Sequence, residues 1–260
     1  MFTSIRIFVL LFILAAVAMA EWRAKTGAIT WQYTLAVNVY PINGDGSAVA
    51  EAYIRALTLD EFAPIERFMH DEALRFGLAS NASIEMRLRP IIAVRPPAPP
   101  LNGNVLEVVL WSLQLRWWSF QNAVAKGPSP QVKLFVLYFD PAKHPELEHS
   151  TALQKGLIGR VNAFASHEMS KQNNVIIAHE FLHTLGASDK YNLANNQPIF
   201  PNGYAEPGRI PSLPQQLAEV MGGRVPLTAI EARIPLGLDE VVIGKATALE
   251  INWLKLSEYK

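Results

Sequence analysis

From Ser83 to Pro90 apolar and polar residues alternate, with Ile84, Met86 and Leu88 on one face and Glu85, Arg87 and Arg89 on the other. A period of two predicts a half-buried strand. Residues 29–42, ITWQYTLAVNVYPI, alternate in part and are rich in β-formers, which predicts another. Residues 131–139, QVKLFVLYF, predict a strong strand and residues 157–166, LIGRVNAFAS, a weaker one. Helical spacing runs through residues 48–76 with a break at Pro64, and through residues 105–125, which contain LRWW. A further helix is expected from about Asn174, and a C-terminal one over residues 245–256. NGDGS at 43–47 is a turn, and the proline-rich stretch 95–104 is too short for a domain linker. Residues 191–226 show no regular pattern, and the chain has no internal repeats. The order predicts an α/β (α+β) domain with a twisted mixed sheet, followed by a loop-rich half.

The apolar run at residues 7–20, IFVLLFILAAVAMA, follows a single basic residue, Arg6. It is short beside the roughly 20 residues of a membrane span. It suits a signal peptide with Ala18-Met19-Ala20 as its small-x-small cleavage site. An uncleaved anchor with Trp22 at the interface is the other reading. Both predict an extracytoplasmic domain, secreted or periplasmic, and the second tethers it to the membrane through residues 7–20. Residues 21–260 are read as one catalytic domain, its upper part at about 29–186 and its lower part at about 187–260.

Lys+Arg and Asp+Glu each total 23, so the basic excess of a nucleic-acid binder is missing. The chain has no cysteine, which excludes disulfides, thiolate metal sites and a cysteine nucleophile. Any metal must be held by His, Asp or Glu.

Residues 176–192 read IIAHEFLHTLGASDKYN. Four residues turn a helix by about 400°, so His179 and His183 share one face and can converge on one divalent ion. Glu180 lies one position round, where it can reach a water without being a ligand. This is the logic of HExxH: two imidazoles for zinc and a carboxylate as general base. Gly186 can take positive φ and end the helix, which lets the chain reverse and bring Asp189 to the same ion. The same residues also fit a polar helix face followed by a capping aspartate.

His179, Glu180, His183, Gly186 and Asp189 together resemble the extended metzincin motif HExxHxxGxxH, with aspartate at the third ligand position. Snapalysin-like and immune-inhibitor-like metallopeptidases also carry aspartate there, and the latter have a tyrosine two residues on, here Tyr191. LAEVMGGRVP at 217–226 resembles the metzincin Met-turn, with Met221 before Gly222 and Gly223. The resemblance implies a sheet with helices in an upper half, an active-site helix as its floor, and an irregular lower half ending in a helix. It implies a Zn2+ site of His179, His183 and Asp189, with Glu180 as general base and later acid, and Met221 packed beneath. Tyr191 and Tyr204 are candidate oxyanion or substrate contacts, and residues 157–166 are the candidate edge strand for an extended peptide. Residues 105–125 depart from the pattern as an extra helix. Only residues 21–28 separate the targeting run from the first strand, too few for a sizeable pro-domain, and a cysteine-switch latch is impossible.

Glu206 and Glu219 are rival third ligands. His144 and His149, with Asp140, Glu146 and Glu148, form either a solvated loop or a secondary metal site. The functional expectation is a zinc-dependent endopeptidase acting on peptides or proteins. The alternatives are a non-proteolytic zinc-binding or scaffold protein, and a metal-dependent amidase acting on cell-wall peptides.

Overall fold

Five strands form the central mixed sheet of the computed structural model, which describes residues 26–79, 83–100, 103–123, 131–154 and 156–258 together with Arg6, Ile7, Phe12 and Met19. The expectations for the targeting run lie outside the described residues. Among the described residues no helix is long and apolar enough to cross a membrane.

Strand β1 (Leu35–Asn43) runs parallel to β2 (Ile84–Leu88) on one side and β3 (Gln131–Phe139) on the other. β3 pairs in parallel with β5 (Ile158–Phe164), and the short β4 (Thr151–Leu153) closes the sheet antiparallel to β5. The order is β2-β1-β3-β5-β4. β3 is nearly all apolar because both of its faces are covered. Leu134, Val136 and Tyr138 join one core, and Phe135 and Leu137 the other.

The larger core lies under helices α1 (Ala48–Ala56) and α2 (Ala63–Arg75). Ser47 caps α1 by accepting from the Ala50 N–H, and Pro64 sits in the first turn of α2, where its missing N–H costs nothing. The predicted break at Pro64 is therefore a helix start. Helix α3 (Val105–Asn122) covers the opposite face with Trp111 and Leu115 and begins in a capping box of Asn104 and Glu107.

Several expectations are corrected, among them the start of the motif helix, which is Ser170 and not Asn174. The first strand begins at Leu35, because Trp31 takes φ 55° and packs into the core, its indole N–H donating to the Ile251 carbonyl at 2.8 Å. The C-terminal helix, here α5 after the motif helix α4 (Ser170–Leu185), spans only Lys245–Glu250, since Asn252 at φ 63° ends it. Residues 157–166 were expected to be a peptide-binding edge, but β5 lies between β3 and β4; the edge strand is β4, too short to show periodicity.

The lower half is loop with two-residue strands. Among them β6 (Tyr191–Asn192) pairs with β7 (Gln197–Pro198), and β8 (Ala218–Glu219) runs parallel to β11 (Val241–Val242). Between β8 and β11 in the chain, β9 (Val225–Pro226) and β10 (Ala232–Arg233) pair antiparallel.

Candidate active site

Helix α4 buries Ala178, Phe181, Leu182 and Leu185 in the core and turns His179 and His183 outward, their rings 4.6 Å apart and nearly perpendicular. Gly186 ends the helix at φ 112°, a conformation that favours glycine. The chain reverses there, and Asp189 returns to the histidines. Its Oδ1 lies 3.2 Å from His179 Nε2 and 3.1 Å from His183 Nε2.

Backbone carbonyls hold both rings from behind. His179 Nδ1 donates to the Val220 oxygen at 2.9 Å, and His183 Nδ1 to the Ala187 oxygen at 2.7 Å. A proton on each Nδ1 leaves each Nε2 with its lone pair facing Asp189. Two donors about 2.0–2.2 Å from one tetrahedral zinc stand roughly 3.3 Å apart. The spacings to Asp189 Oδ1 are of that size, so the donor set fits a divalent ion. Glu180 gathers with the two histidines as well, with one ligand atom from each of the three within 4.8 Å of the others. Asp189 touches both imidazoles directly, so it is the better third donor.

Glu180 is buried, and its Oε2 has no hydrogen-bond partner. Burial raises its pKa against the pull of His179 and His183, which keeps it more basic than an ordinary carboxylate. Burial also opposes ionisation of Asp189, yet the two imidazoles outweigh it and hold that carboxyl well below the usual range. At His179 burial pulls downward, but Asp189 and Glu180 prevail and the pKa rises. Tyr191 is pushed up to about 12 by burial and by the charges of Asp189 and Glu180, so its phenol stays a donor at neutral pH.

His179, Glu180 and Tyr191 line a cleft of about 260 Å³ whose walls also include His149, Asn162, Gly222 and Arg224, while His183 and Asp189 are not among its lining residues. Met221 is fully buried in the core behind Val220, where its turn carries the carbonyl that His179 uses. A Cβ on Gly222 would stand 2.5 Å from the Gly203 carbonyl oxygen, so the turn admits only glycine there.

Other candidates are placed elsewhere. Glu219 is fully buried and accepts from the N–H groups of Met221, Gly222 and Gly244 and from the Thr247 hydroxyl, at 2.6–3.0 Å. It shapes the turn under the histidines. Glu206 is exposed and pairs with Arg209 at 3.5 Å. Tyr204 packs against Phe200 and is not among the cleft-lining residues. His144 faces Asp45 at 3.6 Å while His149 lines the cleft, so the polar loop does not gather them around one point.

Sequence reasoning missed Glu250. It accepts from Ser188 N–H at 3.0 Å, Ser188 hydroxyl at 2.6 Å and Lys190 Nζ at 2.6 Å, gripping both neighbours of Asp189. No spacing signal links it to Ser188 and Lys190, which lie 62 and 60 residues before it in the chain.

No family model matches the sequence, and no curated protein does. Among solved structures, the wild-type OgpA of Akkermansia muciniphila is similar at TM-score 0.38 and 14% identity, over 86% of this chain and 63% of that one. This chain thus spans less than two thirds of OgpA's length.

Proposed function

We propose that this protein is a zinc-dependent endopeptidase of metzincin type. The observation that carries the reading is the approach of Asp189 Oδ1 to both imidazole Nε2 atoms at 3.1–3.2 Å, beside a buried carboxylate oxygen of Glu180 that has no partner. His179, His183 and Asp189 are the ligands, and Val220 and Ala187 fix the tautomers that leave both Nε2 atoms free to bind. When bound, zinc supplies a Lewis acid that polarises a carbonyl and makes water acidic enough to attack near pH 7.

The protein's own groups do the rest. Glu180 takes the proton of the attacking water and hands it to the amide nitrogen as the C–N bond breaks. An extended peptide adds to the free edge of β4, next to His149 and Ser150 at the mouth of the cleft. Tyr191 offers its O–H to the developing oxyanion.

The test is cleavage of a peptide library by zinc-loaded protein, beside Glu180→Gln. The reading expects cleavage inside the peptides that chelation stops and the variant lacks, while the variant keeps its zinc. Undiminished cleavage by Glu180→Gln contradicts it.

A further inference from the structure

Helix α3 is apolar on two opposite sides. Its inner side, Trp111 and Leu115, is buried against the sheet. Its outer side carries Leu106, Leu110, Leu113, Trp117 and Phe120, between 50% and 74% exposed. Val105 and Val109 extend the same patch. The outer residues follow one another by 4, 3, 4 and 3 positions, the 3.5-residue repeat of a helix–helix seam. The stripe is about 21 Å long. Its seven side chains present apolar area on the order of 800 Å², above the largest patch usual on a monomer and close to one partner's share of a standard stable interface.

We infer that α3 pairs antiparallel with α3 of a second copy of this chain. Knob-into-hole layers across such a two-fold set Leu106 against the partner's Trp117, and Leu110 against the partner's Leu113. Both layers join residues of the stripe, and Phe120 lies beyond the start of the partner's helix. A parallel pair would instead oppose two tryptophans in one layer and two phenylalanines in another. The flanks agree. Glu107 and Gln114 border one side of the stripe, Val109 and Arg116 the other, so the antiparallel pair faces Glu107 with the partner's Gln114 and brings no like charges together. A lipid surface suits this stripe less well, since Arg116 is the one cationic residue on α3, where interfacial helices carry several lysines and arginines.

The chain's freedom from cysteine permits a direct test in the full chain. Leu106→Cys and Trp117→Cys are made on differently tagged chains, both at exposed positions that the fold tolerates, and circular dichroism checks that each variant is folded. They are mixed at micromolar concentration under mild oxidation. The expected result is a disulfide-linked pair of unlike tags, at least tenfold more abundant than the homodimer of Leu106→Cys alone. Adding Leu113→Glu to both chains should remove it. Leu193→Cys, equally exposed but in the lower half, serves as the collision control. Absence of the mixed species overturns the proposal, whether lipid or residues 7–20 of the same chain then covers α3. Equal linking of Leu106→Cys to itself overturns the antiparallel arrangement, and equal linking at Leu193→Cys shows collision only and overturns the interface.

Discussion

The sheet and the lower half hold their residues by different means. In the sheet, Val37, Val39, Leu134, Val136 and Val161 lie in long paired strands and are removed from water. Each contributes through area, on the order of 1.5–3 kcal/mol for a fully buried aliphatic side chain. The lower half has strands of two residues, and beside the apolar Met221, Val225, Ile243 and Ile251 in the same core it is held by two carboxylates with several donors each, Glu219 buried and Glu250 half-buried. Glu219 gathers the Met221 turn, Gly244 and Thr247, while Glu250 grips Ser188 and Lys190. Glu72 of α2 joins the halves by accepting from the Ile243 N–H. Apolar packing tolerates small shifts, whereas a carboxylate with several donors sets directions. The site needs directions, because Asp189 and the Val220 carbonyl must both meet His179.

The largest effect expected is on chemistry. Glu180→Gln should lower kcat by about 10³-fold, within the range for a general acid–base, with zinc content unchanged in metal analysis. Next comes the contrast between halves. Leu134→Ala, in the sheet, should cost about 3 kcal/mol in denaturant unfolding and leave zinc affinity as it was. Glu219→Ala should cost a similar amount, about 3 kcal/mol, because it leaves buried donors unmet, and should also weaken zinc by loosening the Val220 carbonyl. If both variants leave affinity untouched, the distinction between the halves fails.

Glu250→Gln should weaken zinc binding by about tenfold, measured by competition with a chromogenic chelator, while the unfolding midpoint moves little. The smallest effect is on pH dependence. Burial opposes ionisation of Glu250, but Lys190 and Ser188 outweigh it and depress its pKa. A depressed carboxylate adds stability above its unfolded pKa and loses it as pH falls through the folded value. Unfolding curves taken downward from pH 5 should therefore show an acid-side loss of stability that is smaller in Glu250→Gln.

Much of the upper half was legible in the sequence. Alternation at 83–90 and the run at 131–139 marked strands because local burial writes a local period. HEFLH and Gly186 marked the paired histidines, the carboxylate beside them and the chain reversal, because these depend on near neighbours in sequence. β4 escaped, being three residues long with each one half-buried. The roles of Glu219 and Glu250 escaped for another reason. Their partners are loop N–H groups and side chains up to 62 residues away, and such contacts leave no period behind. Glu219 even read as a rival ligand, since a buried carboxylate near a histidine pair looks alike in sequence whether it binds metal or backbone.

The central claim is a three-ligand site closed by Asp189. Its most direct test is the zinc content and affinity of the purified, reconstituted protein beside Asp189→Ala. The account predicts one zinc per chain in the parent and an affinity lower by at least 100-fold in the variant. No zinc in the parent, or zinc held equally well without Asp189, would contradict it.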